Sequence, residues 1–171
     1  ATLKTLAPYG ILEPVPQLDL GPRKVRLYRV MEDVYNYWRA AGVCLFGYGP
    51  RVGVSIEKFA QMAQAVTGWD VSLFEMAKVG ERVLALSRAF NAREGFGRKD
   101  DVLPERFFEP LEGGRLEGKA LTHEQFERAL TLAYEMRGWD PTTGLPTEAK
   151  LEELDLGWVV ANLRQAGVAV A

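Results

Sequence analysis

At 171 residues the chain is long enough for one domain with a full hydrophobic core. Hydrophobic residues at 47%, charged residues at 26% and a net charge of -2 are ordinary for a globular protein, and they exclude the basic surface that nucleic acid or an anionic membrane would need. No apolar run reaches membrane-spanning length, no charged-then-apolar leader opens the sequence, and one cysteine excludes an internal disulfide, so a cytoplasmic, reducing compartment is expected.

The sequence opens on Ala1 rather than Met, which fits a processed chain or a piece of something longer. Residues 1–22 carry Pro8, Gly10, Pro14, Pro16, Gly21 and Pro22. Each proline removes an amide donor and fixes a backbone angle, so an extended arm is expected, laid on apolar surface through Leu3, Leu6, Ile11, Leu12, Val15 and Leu18. The remainder, 23–171, reads as a single helical domain. A first helix is expected from Arg23 to Ala41, with Leu27, Met31, Val34, Trp38 and Ala41 as its apolar stripe. Arg26, Arg29, Glu32, Asp33 and Asn36 form its polar face, and Gly42 ends it. The only cysteine, Cys44, follows in the glycine-rich apolar turn Val43 to Pro50.

Ser55 is the expected cap of a second helix that uses Ile56, Phe59, Ala60, Ala63 and Val66 and stops at Gly68. Ser72 caps a long third helix with apolar Leu73, Met76, Ala77, Val83, Leu84, Leu86 and Phe90, and Gly95 is its stop. A dense ionic segment from Arg93 to Arg106 comes next, followed by a glycine-rich loop over 107–121. Thr122 and Gln125 stand at capping-box spacing before a fourth helix that ends at Gly138. Thr147 caps a short helix through Leu154, and a last one covers about Trp158 to Gln165. Thr67-Gly68-Trp69-Asp70 and Arg137-Gly138-Trp139-Asp140 repeat one helix-stop chemistry, with each Trp expected as an apolar plug. The predicted fold class is all-α, an irregular antiparallel helical domain.

Few residues have the chemistry for a site. Cys44 by itself reads as a small buried hydrophobe, since no second thiol or neighbouring histidine activates it. His123, the only histidine, lies in the first turn of a helix and reads as a surface residue. Asp100 and Asp101 are adjacent, so their carboxylates point apart and suit salt bridges better than a cation site. No phosphate-binding glycine loop and no Ser-His-acid spacing is present.

The ordered set Glu81 to Gly95, Asp100-Asp101-Val102-Leu103-Pro104-Glu105-Arg106, the two Gly-Trp-Asp stops, Gly144-Leu145-Pro146-Thr147 and Lys150-Leu151-Glu152-Glu153-Leu154 resembles the C-terminal helical portion of the aldehyde ferredoxin oxidoreductases. The likeness covers roughly residues 10–156. It implies tungsten-dependent oxidation of aldehydes to carboxylic acids, with a molybdopterin-type tungsten bis-pyranopterin and a 4Fe–4S cluster as cofactors and ferredoxin as electron acceptor. Gly42-Val43-Cys44-Leu45-Phe46 is similar to the stretch that carries the fourth cluster ligand, so Cys44 is the implied metal ligand. Arg39, Gly42, Val43 and Leu45 are the implied cofactor-binding neighbours. The implied partners are the N-terminal and middle domains of the same enzyme, on the same or a separate chain. No catalytic residue falls in this segment, so it is not expected to act alone.

The sequence departs from the family at Arg39, where an Asp usually contacts the pterin. A five-donor cation cannot accept the same hydrogen bonds. The alternative expectation is a degenerate helical domain without cofactor, serving as a structural or partner-binding module.

Overall fold

The computed structural model describes residues 6–48 and 54–171. Among the described residues there are seven α-helices and no β-strand: α1 (Pro22–Ala40), α2 (Leu45–Tyr48), α3 (Ile56–Thr67), α4 (Leu73–Arg93), α5 (His123–Arg137), α6 (Glu148–Glu153) and α7 (Gly157–Gln165). The expected fold class therefore holds, and the helix ends have local causes. The hydroxyls of Ser55, Ser72 and Thr147 accept from the amides of Lys58, Glu75 and Lys150. Thr122 and Gln125 form the reciprocal capping box at 3.1 Å in each direction. Gly68 and Gly138 end α3 and α5 in the left-handed conformation, at φ 74° and 69°.

Helix α4 is the axle. Its first half puts Met76 into an apolar cluster with Val34, Trp38, Ile56 and Phe59. Its second half puts Ala85, Ala89 and Ala92 into another, with Leu151, Leu154, Val160 and Leu163. Between the two halves α1 crosses α4 at Gly80. A Cβ built on Gly80 would stand 1.8 Å from the carbonyl oxygen of Asp33, so the two backbones meet there with no room for any side chain.

The small-residue face explains where the expected stripe and the real one diverge. Leu86 and Phe90, expected inside, are exposed, while Gly80, Glu81, Ala85, Arg88, Ala89 and Ala92 are buried. On α1 the expected polar face is also partly wrong, because Asp33 and Asn36 are buried. Asp33 faces Gly80 on α4 and Arg137 on α5, and Asn36 donates to the Glu32 carbonyl of its own helix. In the N-terminal stretch a 3₁₀ turn forms at Ala7–Tyr9. Leu6 and Ile11 sink into the first cluster, whereas Leu12 and Leu18 stay exposed. Leu3, Gly49 and Pro50 lie outside the described residues; the turn expected over 43–50 contains the single helical turn α2.

The buried charges are paired. Arg137 on α5 donates to Asp33 at 3.0 Å and to Glu32 at 2.6 Å on α1. Glu81 on α4 accepts from Arg29 at 3.2 Å and Lys78 at 2.8 Å, and Lys150 on α6 lies 2.9 Å away. These ion pairs tie four helices together around the Gly80 crossing. Burial alone would raise the Glu81 carboxyl, but the Lys78 and Lys150 ammoniums outweigh it and hold the value down to about 2. At Asp33 burial wins over Arg137 and the carboxyl is pushed up.

Two residues of the ionic segment after α4, Arg98 and Asp101, clamp it to the rest of the fold. Arg88 grips Asp101 with bonds of 3.0 and 2.5 Å and donates to the Gly144 carbonyl at 2.8 Å. Tyr134 donates to the same Asp101 carboxylate. Arg98 donates to the Pro141 carbonyl at 2.7 Å and to Glu127 at 2.6 Å.

Two outcomes follow from this packing. Gly80→Ala should lower the unfolding free energy in urea by about 3 kcal/mol, because neither backbone can yield without unseating a helix; a loss under about 1 kcal/mol would contradict the close crossing. Glu81 has a folded pKa below its ordinary 4.5, so its stabilising contribution is present above that pH and is lost as pH falls toward 2. Thermal midpoints should therefore drop more steeply over that window in the unaltered chain than in Glu81→Gln. Asp33 acts with the opposite sign, and Glu81 is the smallest of the causes of its shift, so most of that effect is common to both proteins; parallel pH profiles would contradict the assignment.

Candidate functional site

The candidate site is the chain reversal at the end of α1. Trp38, fully buried, anchors that end by edge-on contacts with Tyr35 at 5.5 Å and Phe59 at 6.1 Å between ring centres. The Ala41 amide donates to Tyr37, that of Gly42 to Arg39 and that of Val43 to Trp38, at 2.9, 3.0 and 3.3 Å. Gly42 takes φ +71°, which turns the chain sharply off the helix.

Side chains then alternate across this turn. Val43 and Leu45 pack against the first apolar cluster. Cys44 and Phe46 point the other way: the thiol is exposed, and the phenyl ring is 91% exposed. Among the described residues nothing lies within 4 Å of the place a Gly42 Cβ would occupy, so they leave the edge beside Cys44 open. The reading of Cys44 as an inert buried hydrophobe is thus corrected. Arg39 is exposed one turn back, and its guanidinium donates to Asn36 Oδ1 at 3.3 Å.

The other sequence candidates are structural. His123 stacks on Phe108, 3.8 Å between ring centres, and lies 3.6 Å from the Glu105 carboxylate. Asp101 belongs to the Arg88 clamp, and Asp100 accepts from the Gly97 amide at 2.8 Å. Trp139 does fold back, stacking on Tyr134 at 6.2 Å. Trp69 does not: it is 71% exposed, because nothing in the Thr67–Asp70 turn covers it.

Among the described residues no group of three or more His, Cys, Asp or Glu side chains could hold a metal ion. The donor set is therefore one thiol on an open edge. Among the described residues no helix is long and apolar enough to cross a membrane.

Residues 2–156 match the family described as aldehyde ferredoxin oxidoreductase, domains 2 and 3. The tungsten-containing aldehyde ferredoxin oxidoreductases of Pyrococcus horikoshii and Thermococcus kodakarensis are each 33% identical over 140 residues, 81% of this chain and 22% of theirs. The WOR-like subunit of an aliphatic sulfonate oxidoreductase from Pyrococcus furiosus is 32% identical over 132 residues, 74% of this chain and 20% of that one. The active-site complex BamBC of benzoyl coenzyme A reductase, solved with 1,5-dienoyl-CoA, shares the fold at TM-score 0.73 and 23% identity, over 94% of this chain and 24% of that one. The chain thus spans about a fifth of the length of the curated relatives it matches.

An exposed thiol predicts ready chemistry in the folded state. Ellman's reagent should titrate one thiol per chain without denaturant; a thiol that reacts only after unfolding would contradict the outward placement of Cys44.

Proposed function

The chain belongs to the aldehyde ferredoxin oxidoreductase family, and on that premise we propose that it is the C-terminal helical part of a tungsten-dependent aldehyde:ferredoxin oxidoreductase. In this reading it closes over the pterin cofactor and gives Cys44 to a 4Fe–4S cluster. The observation that carries the reading is the outward thiol on an open edge at the end of α1. When bound, the tungsten bis-pyranopterin would supply the oxidation of an aldehyde to a carboxylic acid, and the cluster would supply the route for electrons to ferredoxin.

Each residue of the turn has a part. Cys44 presents its sulfur from a position fixed by the buried Trp38 and by the amide bonds that close α1. The Gly42 and Val43 amides already donate within that closure, so a pterin N–H would be met by their carbonyl oxygens as acceptors. Leu45, packed inward, keeps the thiol side of the turn from collapsing into the core. Arg39 offers donors only and would bind an oxygen of the cofactor rather than a ring N–H. The partners are the base and middle domains of the enzyme, which bring the other cluster cysteines, and the working compartment is the cytoplasm.

Arg39 favours a second reading, a helical module that has lost the cofactor and retains only partner binding. The two diverge in one experiment. Co-expressed with polypeptide that supplies the base and middle domains, the chain should give a brown complex containing tungsten and iron, and Cys44→Ser should remove most of the visible absorbance. A colourless, metal-free complex would support the second reading and overturn the first.

A further inference from the structure

Helix α4 carries a second apolar face near its C-terminal end, and that face is open. Leu86 and Phe90 stand one turn apart on it, and Trp158 of α7 projects beside them. Phe90 is 56% and Trp158 61% exposed. Between the two helices runs a groove of about 570 Å³ whose floor includes the buried Val159 and Leu163. Its rim is polar, with Arg93, Asn162 and Gln165. The Arg93 guanidinium lies over the Phe90 ring at 4.9 Å and pairs with Glu94 at 3.0 Å, both side chains about half exposed. An ion pair so exposed is worth little, so either charge can be recruited by another partner. An apolar centre with a polar rim is the make-up of a small protein interface.

We propose that this groove is a contact between two copies of the chain, with Trp158 of each copy seated in the groove of the other. The shape selects a second copy, because knob and hole lie on one face, and a two-fold contact needs the same patch on both partners. The charges select it too. Both signs sit at the apolar edge, and a two-fold axis sets Arg93 of each copy against Glu94 of the other. A partner carrying one sign would leave the opposite charge unmet. The place of the groove separates it from the candidate site. Phe90 lies about 20 Å further along α4 than Met76, which belongs to the cluster on which the Cys44 turn rests. The family match ends at residue 156, and Trp158, Asn162 and Gln165 follow it. The contact is therefore independent of any cofactor at Cys44. Its face is two helices wide, about 20 Å, which is small for a specific interface, so the dimer should dissociate in the micromolar range.

The test is sedimentation equilibrium of the full chain, with a reductant present so that the exposed Cys44 cannot link copies. The mass should rise from 19.1 kDa toward twice that value as concentration passes through the micromolar range. Trp158→Asp and Phe90→Asp alter exposed positions, so circular dichroism should report unchanged helix content, and each should weaken dimerisation by at least about tenfold. Leu12→Asp, exposed but outside the groove, should change it by less than about twofold. Arg93→Glu alone and Glu94→Arg alone should each weaken self-association, because like charges then meet across the axis. The two variants mixed should form a heterodimer at least as tight as the unaltered dimer, a recovery that only contact between copies gives. A mass that stays at 19.1 kDa up to about 200 µM would overturn the proposal. So would a dimer that survives Trp158→Asp, or charge-swapped variants that do not recover on mixing.

Discussion

The structure depends on the contact of α1 with α4 at Gly80. A backbone carbonyl, that of Asp33, occupies the space where any other residue would have its Cβ. This fixes the separation of the two long helices and dictates the rest. Beyond the crossing, the second half of α4 turns to other partners: Ala85, Ala89 and Ala92 leave room for the large side chains of Leu151, Leu154 and Leu163. The close backbones also bring polar backbone and the Asp33 side chain into the interior, where Arg137 must satisfy them. The ionic network is thus a consequence of the crossing. With α1 held along its middle and Trp38 buried at its end, the turn that carries Cys44 has a defined place and direction.

Helix limits were legible in the sequence because caps are local. Ser55, Ser72, Thr122 and Thr147 each act through an amide three residues on, and Gly68 and Gly138 act through their own φ. Helix faces were less legible. The apolar count on α4 favoured Leu86 and Phe90, but hydrophobicity does not report that a face of Gly and Ala packs closer and therefore wins. Asp33, Glu81, Arg88 and Arg137 look like surface residues singly; their burial depends on partners up to about a hundred positions away. Cys44 taken by itself, with no second thiol or histidine near it in sequence, reads as buried, while the family resemblance implies a metal ligand; the turn directs Val43 and Leu45 inward and leaves Cys44 exposed.

The family resemblance and the candidate chemistry rest on different residues. The run from Glu81 to Gly95 and the Asp100–Arg106 segment, which carry much of the likeness, build the scaffold. Arg88, Asp101, Tyr134 and the Gly144 carbonyl form one clamp that joins α4, the loop after it and α5. Such a motif marks a fold shared with the relatives. The functional reading hangs instead on one thiol and on the open edge around it, and Arg39 is the residue at which cofactor binding and its loss part company.

The most direct measurement is spectroscopic. Selenocysteine enriched in ⁷⁷Se is placed at position 44, the chain is assembled with the base and middle domains, and the cluster is reduced. A resolved selenium hyperfine coupling in the cluster's electron paramagnetic resonance is the predicted result, because it requires that atom to be bonded to iron. A cluster signal with no selenium coupling, or an assembly with no cluster signal, would contradict the account.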